Sequence, residues 1–556
     1  MAEQKEIRFK IDGKEVVAKP GETVIQVAHR YGINIPHYCY HPGLPIDGNC
    51  RMCLAKFAAP RGDKVVPFPK PMTTCTTYPT EGMEVDVSSD EAQKLRQEIM
   101  EFLLINHPLD CPICDQAGEC ALQDYAYKYG RPKGRFKEEK VHKHKKNLGK
   151  YIAIWGERCI VCKRCIRFLD HISGTSELCV IERGDRSVID VFDENHPVDN
   201  PLSLNVVDIC PVGALLSRDF LYSQRSWFLK SKHSVCAACS KGCNIIIDYD
   251  LQKIRRIRTQ PNPDVNDFWM CDEGRMFFKH THSDKRIDKA YIRGEKGLEE
   301  KPNHLVWQGI VEALQKSREE KKGIGLLGSL YHTCEAMYLL KKLADKLGTQ
   351  YMGALEKEVQ EDQVFPGFVI EGDKNPNRKG WEAVFGKETL EKGLDEVIKA
   401  VSEGNIQTLL VANAIPDFKP SSELLEALEK VETLIVIDIL ENEITQKAHF
   451  LLGGSTYTEE NGIFVHSKGK WQKLGAVMFP PGRAEQNHKI LQRILSGLEG
   501  KSEEPVRQKL VREEMMEKLE AFKKIEQENF YPHLHNLPVG TIFDENQFSP
   551  AVERRV

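Results

Sequence analysis

The chain lacks any long apolar run. Its longest apolar stretches, such as Leu434 to Leu440, are interrupted by Asp438 and are far too short to span a bilayer. The opening MAEQKEIRF has none of the basic, apolar and small-residue regions of a signal peptide. These two absences predict a protein of the cytosol, or of the cytosolic face of a membrane complex. An excess of one charge is also missing. With 78 Lys and Arg against 82 Asp and Glu, the net charge is −4, which argues against a nucleic-acid or other polyanion partner. No repeat of fixed period is visible, and no cysteine follows Cys334. What remains is an ordinary globular composition, 41% hydrophobic and 29% charged, over 556 residues, a length that implies several domains.

Against these absences stand 17 cysteines, and all but Cys179 and Cys334 fall into four ordered groups. The first is Cys39, Cys50, Cys53 and Cys75. The second is His107, Cys111, Cys114 and Cys120. The third is Cys159, Cys162 and Cys165, closed by Cys210 before Pro211. The fourth is Cys236, Cys239 and Cys243, closed by Cys271. In a reducing compartment, cysteines are metal ligands more often than disulfides. Four soft ligands per group is what one iron–sulfur cluster needs, and four clusters on one chain would conduct single electrons.

The groups differ in specificity. Gly43, Pro45, Gly48 and Asn49 give the Cys39–Cys53 loop the turns that a two-iron site requires. Zinc is the competing assignment there and at the fourth group, because C-x2-C is also a common zinc fragment. In the second group three closely spaced cysteines lack a fourth thiolate. That favours His107 as the missing ligand over His107 as a plain helix-end residue. A neutral imidazole would make the cluster less negative and raise its potential. In the third group, CIVCKRCIRF with a remote Cys-Pro is half of a bacterial ferredoxin, so a ferredoxin fold holding one four-iron cluster is expected. The fourth has the layout of the N-terminal four-iron cluster of molybdopterin oxidoreductases. Cys179 and Cys334 are expected to be inert buried thiols.

The remaining pattern predicts the frame around these groups. Ile7, Phe9 and Ile11, then Asp12-Gly13, then Val16 and Val17 read as a hairpin, followed by a helix over 22–31 ended by Gly32. Pro60, Pro67, Pro69 and Pro71 mark 58–72 as an exposed loop. Ser88, Ser89 and Asp90 can cap a helix over 90–106, and another helix starts near Cys120. The basic stretch 131–150 reads as a solvated linker. From residue 286 onward, helices (305–318, 333–347, 421–431, 485–498) alternate with strands (323–328, 407–412, 433–439), which predicts a parallel sheet covered by helices. The tail 503–528 reads as a charged helix. Gly323, Gly325 and Gly328 match G-x-G-x-x-G, but the apolar stretch runs through them, so close packing is expected there rather than a nucleotide site.

With the four groups in this order, the chain resembles the G-subunit family of bacterial proton-translocating NADH:quinone oxidoreductase, counterpart of the mitochondrial complex I 75 kDa iron–sulfur subunit. The resemblance rests on PHYCYHPGLPIDGNCRMC, NHPLDCPICDQAGEC, RCIVCKRCIRF, DICPVGALL and CAACSKGC, and continues in DKNPNRKG and KAHFLLGGSTYTEENGIFVHSKGK. It implies an α+β and α/β multidomain fold. The expected divisions are a two-iron ferredoxin-like domain at 1–84, a helical four-iron domain with one histidine and three cysteine ligands at 85–130, and a bacterial-ferredoxin-like four-iron domain at 131–228. A four-iron domain of molybdopterin-oxidoreductase type follows at 229–285, then a shortened molybdopterin-oxidoreductase-like α/β region at 286–556. One 2Fe-2S and three 4Fe-4S clusters are implied, with no molybdopterin, no flavin and no catalytic residue on this chain. The implied role is an electron relay in the peripheral arm, on the cytoplasmic side of the bacterial inner membrane, not catalytic alone. Its partners would be a flavoprotein NADH-binding subunit with its two-iron companion, and ferredoxin-like and quinone-site subunits. Membrane association would come only through the complex. A diaphorase-side relay subunit of an NAD-linked hydrogenase or formate dehydrogenase is the alternative. Glu273 departs from the pattern, standing where pterin enzymes commonly carry a lysine.

Overall fold

The computed structural model describes residues 6–251, 253–501 and 507–523. Strands Ile7–Ile11 and Lys14–Ala18 form the expected hairpin, with Asp12 and Gly13 at positive φ in its turn. Phe9, Ile11, Val16 and Ala18 alternate inward against the helix Val24–Arg30. Glu84–Asp86 pairs parallel to the first strand and antiparallel to Leu54–Arg61, giving a small mixed sheet. The stretch 58–72 is exposed, but it is not a loop. Leu54–Arg61 pairs with Lys64–Pro67, so Pro60 and Pro67 sit in a two-stranded arm at the sheet edge, where a missing N–H is tolerated.

Helix Asp90–Leu104 is capped by Ser89, whose Oγ accepts from Ala92 N at 3.3 Å. The stretch 131–150 does not behave as a free linker either. Arg131 and Arg135 pair with Glu98 and Glu101 on that helix, and Lys140 Nζ donates to the carbonyls of Leu104 and Ile105 at its C-terminal end. Lys145–Asn147 then joins Ile152–Trp155 and Leu215–Ser217 in an antiparallel sheet. These basic residues strap the stretch along helix Asp90–Leu104. Beyond them, Lys230–Val235, Asn244–Tyr249 and Ile254–Thr259 make a three-stranded meander.

The C-terminal part is a seven-stranded sheet. Five strands are parallel, in the spatial order Phe450–Gly453, Thr433–Asp438, Thr408–Ala412, Ile324–Ser329, Tyr351–Leu355, with Ala290–Gly294 and Gly297–Lys301 antiparallel at one edge. The fully buried TLLVA of 408–412 shows why the pattern here is continuous rather than alternating: helices cover both faces. Helix Cys334–Leu347 is capped by Thr333 and stops at Gly348, φ +69°. A Cβ at Gly328 would lie 2.6 Å from Leu340 and 2.8 Å from Trp381, so that glycine serves close strand–helix packing. Part of the expected tail helix is present as Gln508–Lys518 and Glu520–Lys523; the rest of 503–528 lies outside the described residues.

Arg286 ties the segment after the fourth group to this sheet. Its Nη1 and Nη2 each donate to a carboxylate oxygen of Glu459 at 2.8 Å, with both side chains buried. Glu459→Ala would leave a buried guanidinium without its partner. The expected cost is about 3–5 kcal/mol in denaturant unfolding, with most of it recovered when both residues become Met.

Candidate iron–sulfur sites

The fold gathers the candidate cysteines of each group. In the first, the loop after Ile35 carries Cys39, Cys50 and Cys53, and Cys75 comes from the turn after Met72–Thr73. Cys53 Sγ and Cys75 Sγ are 3.4 Å apart. The hydrogen bond from Cys50 pulls Cys39 below the ordinary thiol range, while Cys50 and Cys75 are pushed far above it by their cysteine neighbours and by burial. Tyr38 N donates to Cys50 Sγ at 3.4 Å.

In the second site, Cys114 and Cys120 are buried and Cys111 is exposed. Burial pushes the Cys120 thiol up to about 12. His107 lies just past helix Asp90–Leu104 in a buried setting that lowers its pKa to about 4, so it is neutral at pH 7. Its Nδ1 is buried with no hydrogen-bond partner among the described residues. A neutral imidazole with a free ring nitrogen is the form that ligates metal. Gly213 allows the next domain to close over this site, since a Cβ there would sit 2.2 Å from Cys114 Sγ.

The third site is the most complete. Cys159, Cys162, Cys165 and Cys210 all line one cavity, walled by Ile154, Ile189, Pro211, Val212 and Leu215. Cys159 and Cys162 are pushed to about 12 and about 11, first by burial and then, for Cys159, by the Cys162 charge. Val161 N donates to Cys159 Sγ at 3.3 Å, and Val161 itself takes a φ of +52° to point that amide inward. Four bare thiolates could not share such a space. The iron of a cluster, held by these four cysteines, would supply the positive charge that such an arrangement needs.

At the fourth site, Cys236, Cys239 and Cys243 lie on the connection between two strands of the meander, and Cys271 is the N-cap of the short helix Asp272–Met276. Gly274 N donates to Cys271 Sγ at 3.3 Å, and a Cβ on Gly274 would lie 2.9 Å from Cys236 Sγ. Burial raises all four thiols, Cys239 to about 12. The missing lysine has a counterpart that the sequence did not reveal. Lys374, from the C-terminal region, donates to Glu273 at 2.6 Å, and its charge faces Cys239 and Cys271. Nothing in the local pattern could have found it, because Lys374 and Glu273 are 101 residues apart.

Among the described residues no three His, Cys, Asp or Glu side chains converge on a single metal ion. Cys179 is half-buried, its Sγ facing the Asp190 carbonyl, and Cys334 is buried against Asn377. Burial raises both thiols, so neither is poised to react. No described helix is long and apolar enough to cross a membrane.

Family comparisons divide the chain in the same order. A 2Fe-2S iron-sulfur cluster binding domain matches residues 4–90, and the NADH-ubiquinone oxidoreductase-G iron-sulfur binding region matches 96–135. The ferredoxin-like domain of NADH-quinone oxidoreductase subunit 3 matches 149–216. The Fe4S4 domain of molybdopterin oxidoreductases matches 229–283, and molybdopterin oxidoreductase itself 382–496. The NADH-quinone oxidoreductase G-subunit of Rickettsia conorii is 38% identical over 343 residues, 62% of this chain and 49% of that protein. Over that span the chain is similar to the G-subunits of NADH-quinone oxidoreductase. Mitochondrial proteins match as well. The NADH dehydrogenase (ubiquinone) iron-sulfur protein 1 of Solanum tuberosum is 38% identical over 61% of this chain and 44% of its own length. The 75 kDa subunit of Reclinomonas americana is 36% identical over 61% and 48%. The chain spans about half the length of these relatives. A solved NAD+-reducing NiFe-hydrogenase in the H2-reduced state is 26% identical, covering 39% of this chain and 90% of that one, at a TM-score of 0.35.

Two substitutions test the second site. Gly213→Ala should displace Cys114 and abolish that site's paramagnetic signal after anaerobic reconstitution, leaving the other signals in place. His107→Ala should lose or convert the same signal alone. If all signals survive His107→Ala, the histidine is not a ligand.

Proposed function

We propose that this chain is the iron–sulfur relay of the peripheral arm of a respiratory NADH:quinone oxidoreductase, passing electrons from the NADH-oxidising flavoprotein toward quinone. The observation that carries this reading is the third site: four cysteines around one apolar cavity, in a stretch that matches the ferredoxin-like domain of such an enzyme. The proposed ligands are Cys39, Cys50, Cys53 and Cys75 for a 2Fe-2S cluster. For three 4Fe-4S clusters they are His107, Cys111, Cys114 and Cys120; Cys159, Cys162, Cys165 and Cys210; and Cys236, Cys239, Cys243 and Cys271. The proposed domain divisions fall at 84, 130, 228 and 285.

When bound, such clusters accept and release single electrons. The chain's own work is to hold them in dry, close, fixed positions. The first and third sites adjoin through Asn49 Nδ2, which donates to the Val161 carbonyl at 3.2 Å, and through Lys163, 3.7 Å from Asp47. The third and second adjoin at Pro211, whose carbonyl accepts from Ala121 N at 3.2 Å. At the second site Cys111 reaches the surface, beside Leu109, which is 91% exposed, and Ile113. Trp227 and Phe228, also exposed, follow Arg225, whose guanidinium donates to the Pro112 and Cys114 carbonyls. An apolar surface around an exposed ligand suits a redox partner that excludes water from the contact. We assign it to the ferredoxin-like subunit next in the relay. The complex would lie on the cytoplasmic face of the membrane, held there by its other subunits.

Reconstituted anaerobically, the full chain should bind about fourteen irons and show one two-iron and three four-iron signals. Stoichiometric zinc without iron absorbance would defeat the reading. The flavin-free chain alone should not reduce dyes with NADH. Purification from native membranes should bring down a flavoprotein NADH dehydrogenase and quinone-site subunits; hydrogenase subunits in their place would reassign the relay.

A further inference from the structure

Of the six buried arginines among the described residues, three meet a carboxylate: Arg158 pairs with Asp110, Arg275 with Asp208 and Arg286 with Glu459. Arg96 instead lies over the Tyr129 ring, 5.4 Å from its centroid. Arg164 and Arg167 have neither kind of partner. They are 1% and 8% exposed, and among the described residues no carboxylate lies within ion-pair distance of either. Arg164 donates only to the carbonyls of Ile209 and Tyr40, and its Nε is buried without a partner. Arg167 donates to the carbonyls of Lys163, Pro45, Cys39 and Cys162, with Nη2 shared between the last two. Carbonyl dipoles satisfy N–H groups but do not neutralise a charge taken out of water, which costs several kcal/mol per ion. The counter-charge must come from elsewhere. The nearest sources of negative charge, once ionised, are the sulfurs of Cys162, Cys39 and Cys50, drawn from two different sites.

We propose that Arg164 and Arg167 are the counter-ions shared by the first and third iron–sulfur sites, and that Arg167 joins those sites through the hydrogen bonds from its Nη2 to the carbonyls of Cys39 and Cys162. The proposal rests on the cluster assignment above. A cluster held by four thiolates is a net anion, and reduction adds one more negative charge. A fixed cation in a low-dielectric junction therefore favours the reduced form at both sites. In the transfer itself one site is oxidised as the other is reduced by the same electron; no bond forms and no proton leaves the guanidinium. Positive charge at the junction thus holds the two potentials up together, so the step between them stays nearly level.

The test is a redox titration of the reconstituted full chain, followed by electron paramagnetic resonance, for wild type, Arg167→Gln and Arg167→Lys. Arg167→Gln should make reduction of both the first and the third sites at least tenfold less favourable, about 59 mV for one electron, with the fourth site unmoved. Arg167→Lys keeps the charge and should keep both midpoints within about threefold of wild type. Unmoved first and third midpoints in Arg167→Gln, or an equal fall at all four sites, would overturn the proposal. If Arg167→Gln assembles no clusters, the decision passes to Arg164→Lys and Arg167→Lys. A tenfold loss in either, with its charge intact, would show that fork geometry rather than charge is at work and would sink the counter-ion role. Wild-type protein without first- and third-site signals overturns the cluster assignment and this inference together; wild-type signals with unmoved variants overturn this inference alone.

Discussion

The rest of the structure depends on one electrostatic constraint: sulfur ligands placed where water cannot stabilise their charge. Burial raises the thiols of the third and fourth sites, and a buried thiol on its own stays protonated. A bound metal centre would make thiolates tolerable there, and ligand binding would then be linked to folding. The hydrophobic core shows the same linkage in its packing. One continuous cluster runs from Tyr38 and Cys39 through Met100, Cys162 and Phe168 to Cys236, Trp269 and Phe464. The sites are lodged in a shared core rather than strung on separate beads. Trp269 illustrates it: its ring stacks on His41 at 5.3 Å and meets Phe168 edge-on at 4.9 Å, joining residues beside the fourth, first and third groups.

How much of this was legible in the sequence depended on whether a residue's partner lay nearby in the chain. The hairpin at Asp12-Gly13, the capped helix after Ser89 and the apolar strands Thr408–Ala412 and Thr433–Asp438 follow local rules, and they appear where those rules place them. The cysteine groups were visible because their spacing is a local signature of loops that wrap a cluster. The stretches 58–72 and 131–150 mislead for the opposite reason. Prolines and lysines signal exposure, but exposure does not exclude an edge strand or a strap along a helix. In CIVCKRCIRF both arginines are in plain view, yet their acceptors, the carbonyls of Tyr40, Pro45 and Cys39, are more than a hundred residues away. A positive residue beside a ligand motif reads as solvated until the fold shows it buried.

The C-terminal sheet extends the same logic to the fourth site. Its parallel strands switch direction of progression at Ile324–Ser329, which is flanked by Tyr351–Leu355 on one side and Thr408–Ala412 on the other. In open α/β sheets the crevice beyond the carboxyl ends of strands at such a point is where ligands gather. Here a cleft near those ends is lined by Pro416 and Asp417 from the turn after Thr408–Ala412, by Asp272, Glu273 and Phe277 beside the fourth site, and by Tyr151 from the third-site domain. Tyr331, just past strand Ile324–Ser329, packs its ring against Phe277, and Lys357 lies over both rings. The crevice is thus partly filled by the chain's own side chains.

That filling determines what the large α/β region can do for the iron–sulfur part. Ser240, one residue past Cys239, donates to Glu371, while Ser240 N donates to the Asp373 carbonyl at 2.9 Å. Lys374 then reaches Glu273 on the other side of the same site. Gln472 closes a third side, accepting from Asn244 and donating to the Gly242 carbonyl. The fourth group is therefore held by two separate segments of the C-terminal region, 371–374 and the strand Trp471–Leu474. A cluster in the loop of that group would fix it, and the C-terminal region carries Lys374 to a position where its charge can act on Cys239 and Cys271. The fourth site is thus anchored to the C-terminal region at 371–374 and at Trp471–Leu474, outside the seven-stranded sheet itself.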